Sequence, residues 1–164
     1  HLKPIRSADL IPQDHRQKVL KTEALPNDFY LVTLQVKTEP KRVTGFSNWP
    51  TKSLLYAKYL EEPIEVQSHH PMIESLASEL AGETENDWEV AQDINRWVYL
   101  NLGKELVDTV TALDALQEMR GECQSHTYLF AALARAVAIP TRIVMGPVYS
   151  NAYVACLSQA CHEV

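Results

Sequence analysis

The spacing of apolar residues changes character near His70, and the change divides the chain. Before it, Phe29–Pro40 (FYLVTLQVKTEP) alternates with period two, setting Leu31, Thr33 and Gln35 opposite Val32, Leu34 and Val36, which predicts a strand stopped by Pro40. The stretch up to Asp28 is charged and carries Pro4, Pro12 and Pro26, so it reads as a connector with a single helical turn around Asp14–Leu25. The run Leu54–Leu60 fits strand and helix equally.

From His70 the period becomes helical. HPMIESLASELAG places Pro71 in a first turn, Gly82 just past the end, and Ile73, Leu76, Ala77 and Leu80 on one face. ENDWEVAQDINRWVYLNLG follows, with Asn86 or Asp87 as cap, a stripe of Val90, Ile94, Trp97 and Val98, and Gly103 as its stop. Thr111 and Asp114 outline a capping box before Ala112, Leu113, Leu116 and Met119, with Gly121 closing that helix. Leu129, Phe130, Leu133, Ala134 and Val137 predict a largely buried helix ending at Ile139–Pro140, and Cys123 falls at its start. Beyond Pro140, β-type runs are broken at Gly146–Pro147 and Ser150–Asn151. The order from His70 on is helices first, then strands.

Composition narrows the function classes. At 164 residues, 46% hydrophobic and 22% charged, the chain suits one domain or one domain plus part of another. A net charge of −6 with scattered basic residues argues against a nucleic-acid or anionic-membrane footprint. No apolar run is long enough to span a bilayer, and HLKPIRSADLIPQDHR lacks the apolar middle of a signal peptide. Without an initiating Met the chain reads as an internal fragment or processed product, so its compartment stays open.

Three cysteines, Cys123, Cys156 and Cys161, are too few for a disulfide framework. A thiolate at a helix start is favoured by unpaired N–H groups and the positive end of the dipole, and the same N–H groups suit a developing oxyanion. That makes Cys123 a candidate nucleophile, although a cysteine there also serves as a packed small residue. A third reading takes Cys123, His126, Cys156, Cys161 and His162 as zinc ligands. His1, His15, His69 and His70 read as solvated loop or cap residues.

The run TALDALQEMRGECQSHTYLFAALARAVAIPTRIVMG resembles the signature of the transglutaminase-like superfamily, which groups transglutaminases, peptide N-glycanases and many bacterial proteins. The family pattern is a helix, an (Arg/Lys)-Gly-x-Cys turn, a hydrophobic helix headed by the nucleophile, and a GIPAR-type run into a strand. Its parts here are Arg120, Gly121, Cys123, LFAALARAVAIPTR and IVMG, and the similarity extends over about Ser68 to Tyr149. The resemblance implies an α+β fold: a papain-like core over 68–164, N-terminal helices packed on an antiparallel sheet, preceded by a connector and β-rich segment over 1–67, with Cys123 attacking a glutamine-type carboxamide or peptide carbonyl of a protein or peptide. It implies no organic cofactor. Some animal relatives use calcium, but no acidic loop of the EF-hand type is present.

The family's general base lies in a HAWxEV run. Aligned on Ala160, Glu163 and Val164, the tail SQACHEV puts Gln159 at the His position and Cys161 at the Trp position. Gln cannot take a thiol proton. His162 is expected on the face opposite Gln159, and the family's third residue, an Asp, falls beyond Val164, so the core reads as C-terminally incomplete. His126, one turn after Cys123, reads as a packing or supporting residue. Two functions follow from the resemblance: a cysteine acyltransferase or amidohydrolase, or a catalytically silent domain of the same fold that binds peptides or proteins.

Overall fold

An Asn–Asp pair in left-handed conformation, with φ of 66° at Asn27 and 58° at Asp28, reverses the chain after Pro26. These two residue types tolerate that region better than other side chains. The computed structural model describes residues 11–37, 54–84, 86–107, 111–150 and 155–163; the side chains of 54–55, 147–150, 155–159 and 163 lie outside this description. The reversal joins β1 (Gln17–Leu25) to β2 (Phe29–Val36) in an antiparallel hairpin, with a bulge between Val19 and Lys21. The Asp14 carboxylate accepts the N–H groups of Gln17 and Arg16, both at 2.7 Å, and these bonds hold its pKa below the usual carboxylate range. Residues Asp14–Leu25, expected as a connector with a helical turn, are therefore corrected over most of their length to strand. A charged sequence becomes a strand here because β2 supplies a ladder of backbone partners.

The hairpin belongs to one compact unit, His1–Thr44, and the rest of the chain to another, Gly45–Val164. Residues 54–67, grouped by sequence with the N-terminal segment, belong to the second unit. A 3-10 helix covers Leu54–Tyr59. Val66 is fully buried in the core, and the Ala112 N–H donates to the Glu65 carbonyl at 2.9 Å.

The helices form where their caps allow. α1 (Pro71–Ala81) starts with Pro71 after the cap His70, whose ring nitrogen accepts the Met72 N–H, and ends at Gly82 with φ of 56°. α2 (Asp87–Asn101) is capped by Asn86, whose side-chain oxygen accepts from Trp88 and Glu89. The capping box of Thr111 and Asp114 opens α3 (Ala112–Glu118). Two sequence expectations about stops are corrected. Leu102 closes α2 and Met119, at φ of 53°, closes α3, while Gly103 and Gly121 enter a short parallel ladder of β3 (Gly103–Lys104) with β4 (Arg120–Gly121).

α4 (Cys123–Ala136) is the central element, packed against α1, α2, α3 and, on another side, β6 (Ala155–Glu163). Leu129, Phe130 and Leu133 lie almost fully buried with Ile73, Val90 and Ile94. β6 pairs antiparallel with β5 (Arg142–Ser150) in continuous register from Arg142 opposite Glu163 to Ser150 opposite Ala155. The break expected at Gly146–Pro147 does not occur. Among the described residues this ladder has two strands, and Pro147 stands opposite Ser158 within it. The chain is α+β, its helices packed on an antiparallel sheet.

Arg135 closes the far end of α4. Its guanidinium is buried and donates to the Thr141 carbonyl at 2.7 and 3.3 Å and to the Glu61 carbonyl at 2.6 Å. Burial draws its pKa below the ordinary arginine value. Arg135→Met retains the apolar stem and strands both oxygens; a loss of about 2–3 kcal/mol is expected in urea denaturation.

Candidate active site

Cys123 is placed by local chemistry. After the left-handed Met119, the β4 ladder carries the chain to Glu122, which is extended at φ −84° and ψ −173° and acts as N-cap without a side-chain cap bond. Cys123 is thus the first residue of α4, half-buried and with a free thiol. Its sulfur sits where a helix leaves backbone N–H groups without intrahelical acceptors.

The residue opens on a cleft of about 590 Å³. Val98 and Tyr99 of α2 form one wall, Leu106 lies on the rim at 89% exposure, and β6 contributes Ala160, Cys161 and His162. The Lys104 ammonium lies over the Tyr99 ring, 5.3 Å from its centroid. Arg120, beside the cleft, donates to Glu118 at 3.2 Å and Glu105 at 3.4 Å, bonds that raise its pKa.

His162 and Cys123 line the same cleft. The sequence puts Gln159 in the base position and turns His162 the other way, but it is the face of β6 bearing Ala160 and His162 that meets α4. Ala160 is small enough to be buried there, and the His162 ring stacks on Phe130 with centroids 3.6 Å apart and planes 12° apart. Cys161, between them, is exposed. No slip or bulge is needed, since the register of β5 and β6 is unbroken. Burial lowers the His162 pKa to about 4, so the ring is neutral near pH 7. Its Nδ1 is buried and has no hydrogen-bond partner among the described residues.

Gln159 pairs with Gly146 in the ladder, and its side chain lies outside the described residues. His126 lines the cleft with its ring between two backbone carbonyls, 2.8 Å from that of Glu122 and 3.2 Å from that of Leu102. The contact with Leu102 spans 24 positions, and no short-range pattern announces it. Among the described residues no group of three or more His, Cys, Asp or Glu side chains is arranged to hold a metal ion. The zinc reading is therefore corrected for Cys123 and His126 on α4 and Cys161 and His162 on β6, no three of which form such a group; the Cys156 side chain lies outside the described residues. No helix among the described residues is long and apolar enough to cross a membrane.

Residues 74–164 match the family model of the transglutaminase-like superfamily. No curated protein matches the chain. A solved structure from Cytophaga hutchinsonii, described as a "putative cysteine protease", superposes with a TM-score of 0.67 at 18% identity, over 92% of this chain. The chain spans 63% of that structure's length.

Proposed function

The chain belongs to the transglutaminase-like superfamily, and on that premise we propose that it breaks an amide bond by thiol attack, with Cys123 as nucleophile and His162 as proton acceptor. His162 takes the proton of the thiol, and the thiolate adds to the carbonyl carbon of a carboxamide or peptide bond. The resulting oxyanion is met by N–H groups of the first turn of α4. Collapse expels the amine, which takes its proton from His162, and leaves a thioester on Cys123. Water or a second amine, giving up a proton to His162, then releases the acyl group.

The observation that carries this reading is the shared cleft of Cys123 and the neutral His162. An uncharged imidazole is the form able to accept a proton. The wide, partly apolar cleft, with Leu106 and Tyr99 at its mouth, suits a protein or peptide substrate. The description of the Cytophaga hutchinsonii protein as a cysteine protease, although it concerns that protein, agrees with thiol attack on an amide.

A second reading, a silent domain that binds peptides in the same cleft, draws on the unpartnered Nδ1 of His162. No described residue bonds that nitrogen to orient the ring, and a base of pKa about 4 has little driving force near neutrality. The test is incubation with glutamine-containing peptides, with and without a primary amine, followed by mass spectrometry. Thioester at Cys123 with amine incorporation or hydrolysis is expected, and Cys123→Ala should lower turnover at least about 10³-fold. An alkylatable Cys123 that forms no thioester and turns over no amide selects the silent domain.

A further inference from the structure

His126 stands one turn into α4, and its ring joins two elements. Nδ1 is 2.8 Å from the carbonyl oxygen of Glu122, the residue immediately before Cys123, and Nε2 is 3.2 Å from that of Leu102, which closes α2. The Glu122 oxygen also accepts the His126 backbone N–H at 3.1 Å. Carbonyl oxygens only accept hydrogen bonds, whereas a neutral imidazole has one N–H. In either neutral tautomer the ring donates to one oxygen and turns a lone pair toward the other; the protonated ring donates to both.

We infer that His126 is a positioning residue that clamps the first turn of α4 to the end of α2 and, when protonated, holds positive charge one helical turn from the Cys123 sulfur. The inference rests on the reading of Cys123 as the attacking group. The clamp fixes the two walls of the cleft, since α2 supplies Val98 and Tyr99 while α4 and its N-cap Glu122 supply Cys123 and Thr127. It also occupies the Leu102 carbonyl, one of the groups a helix end leaves without an intrahelical donor. A cation beside a thiol favours the thiolate, and the dipole of α4 acts in the same direction. The other titratable or charged side chains facing this cleft are Tyr99, Lys104, Glu105, Glu122, Cys161 and His162; Glu105 is engaged by Arg120.

The experiment is the pH profile of Cys123 alkylation by iodoacetamide between about pH 5.5 and 9, read at Cys123 by peptide mass mapping so that Cys156 and Cys161 do not contribute. His126→Phe keeps a ring and removes its donors. It should slow alkylation about tenfold at pH 6.5 and by less at pH 9. His126→Arg, which keeps the charge and several donors, should restore most of the rate. A His126→Phe profile that superimposes on the parent's, or that falls equally at every pH, overturns the inference. If His126→Phe does not fold, long-range 1H–15N spectra of the unaltered protein decide: a ring protonation step matching a step in the alkylation profile is expected, and a ring that titrates with no such counterpart overturns it. No amide substrate enters these measurements, so absent turnover would sink the proposed reaction while leaving the clamp to be judged by itself.

Discussion

Phe130→Ala is expected to destabilise the protein by about 3–5 kcal/mol, because the ring is 1% exposed in the middle of α4 and its removal leaves a cavity among Leu129, Leu133 and their neighbours. Against a domain stability of about 5–15 kcal/mol, that corresponds to a fall in Tm of roughly 10 °C for a chain of this size. The same substitution has a second, separable effect. Phe130 forms the stacking surface beneath His162, whose pKa is held at about 4 by burial. Opening that face to water restores hydration of the charged imidazole, so the titration of His162 should move upward toward the ordinary value near 6.5. Phe130→Leu, which fills more of the space but presents no flat ring, should cost less stability and still raise the titration. Thermal denaturation reads the first effect, and the pH dependence of the His162 ring proton resonances reads the second. A His162 titration left in place in a folded Phe130→Ala protein means that the stack is not what excludes water from the ring.

What was legible in the chain was local. Pro71 and Gly82, Asn86, and the Thr111–Asp114 box mark helix ends through bonds made within a turn, and each cap works in the structure as its residues suggest. Cys123 could be placed for the same reason, since a helix start is set by the residues around it. The illegible parts depend on distant partners. Gln17–Leu25 reads as charged connector with a helical turn and is a strand because β2 lies beside it; with most of both faces exposed, no alternation of apolar residues discloses it. Pro147 looks like a break, yet the ladder with β6 runs through it, a pairing that only the partner strand reveals. Which side of β6 meets the helices is illegible for a related reason. Alternation correctly separates His162 from its neighbour Cys161, but which face of β6 meets α4 is decided by the small Ala160 and the flat ring of Phe130, one of them 32 positions away from His162 in sequence.

On the reaction proposed for Cys123 and His162, His162→Gln is expected to abolish most turnover while sparing the thiol. Glutamine keeps hydrogen-bonding capacity and cannot accept the proton, so amide cleavage should fall about 10²–10⁴-fold, the contribution of a positioned base. Alkylation of Cys123 at high pH, where hydroxide removes the proton, should change little. The substitution should also alter how stability depends on pH. In the unfolded chain His162 takes a proton near pH 6.5, whereas in the folded protein it does so only near pH 4. Between those values the unfolded state binds more protons, so stability is full above about pH 6.5 and is lost as pH falls toward 4. Because the ring keeps some solvent contact, the loss is at most about 2 kcal/mol. Urea denaturation at pH 7.5, 5.5 and 4.5 should therefore show a decline in the parent protein that is shallower in His162→Gln by about that amount. Full turnover in His162→Gln would remove His162 from the reaction and leave Cys123 to be activated by another group, whereas a parallel loss of turnover and of high-pH alkylation would mean that the ring supports the shape of the cleft and not the transfer of a proton.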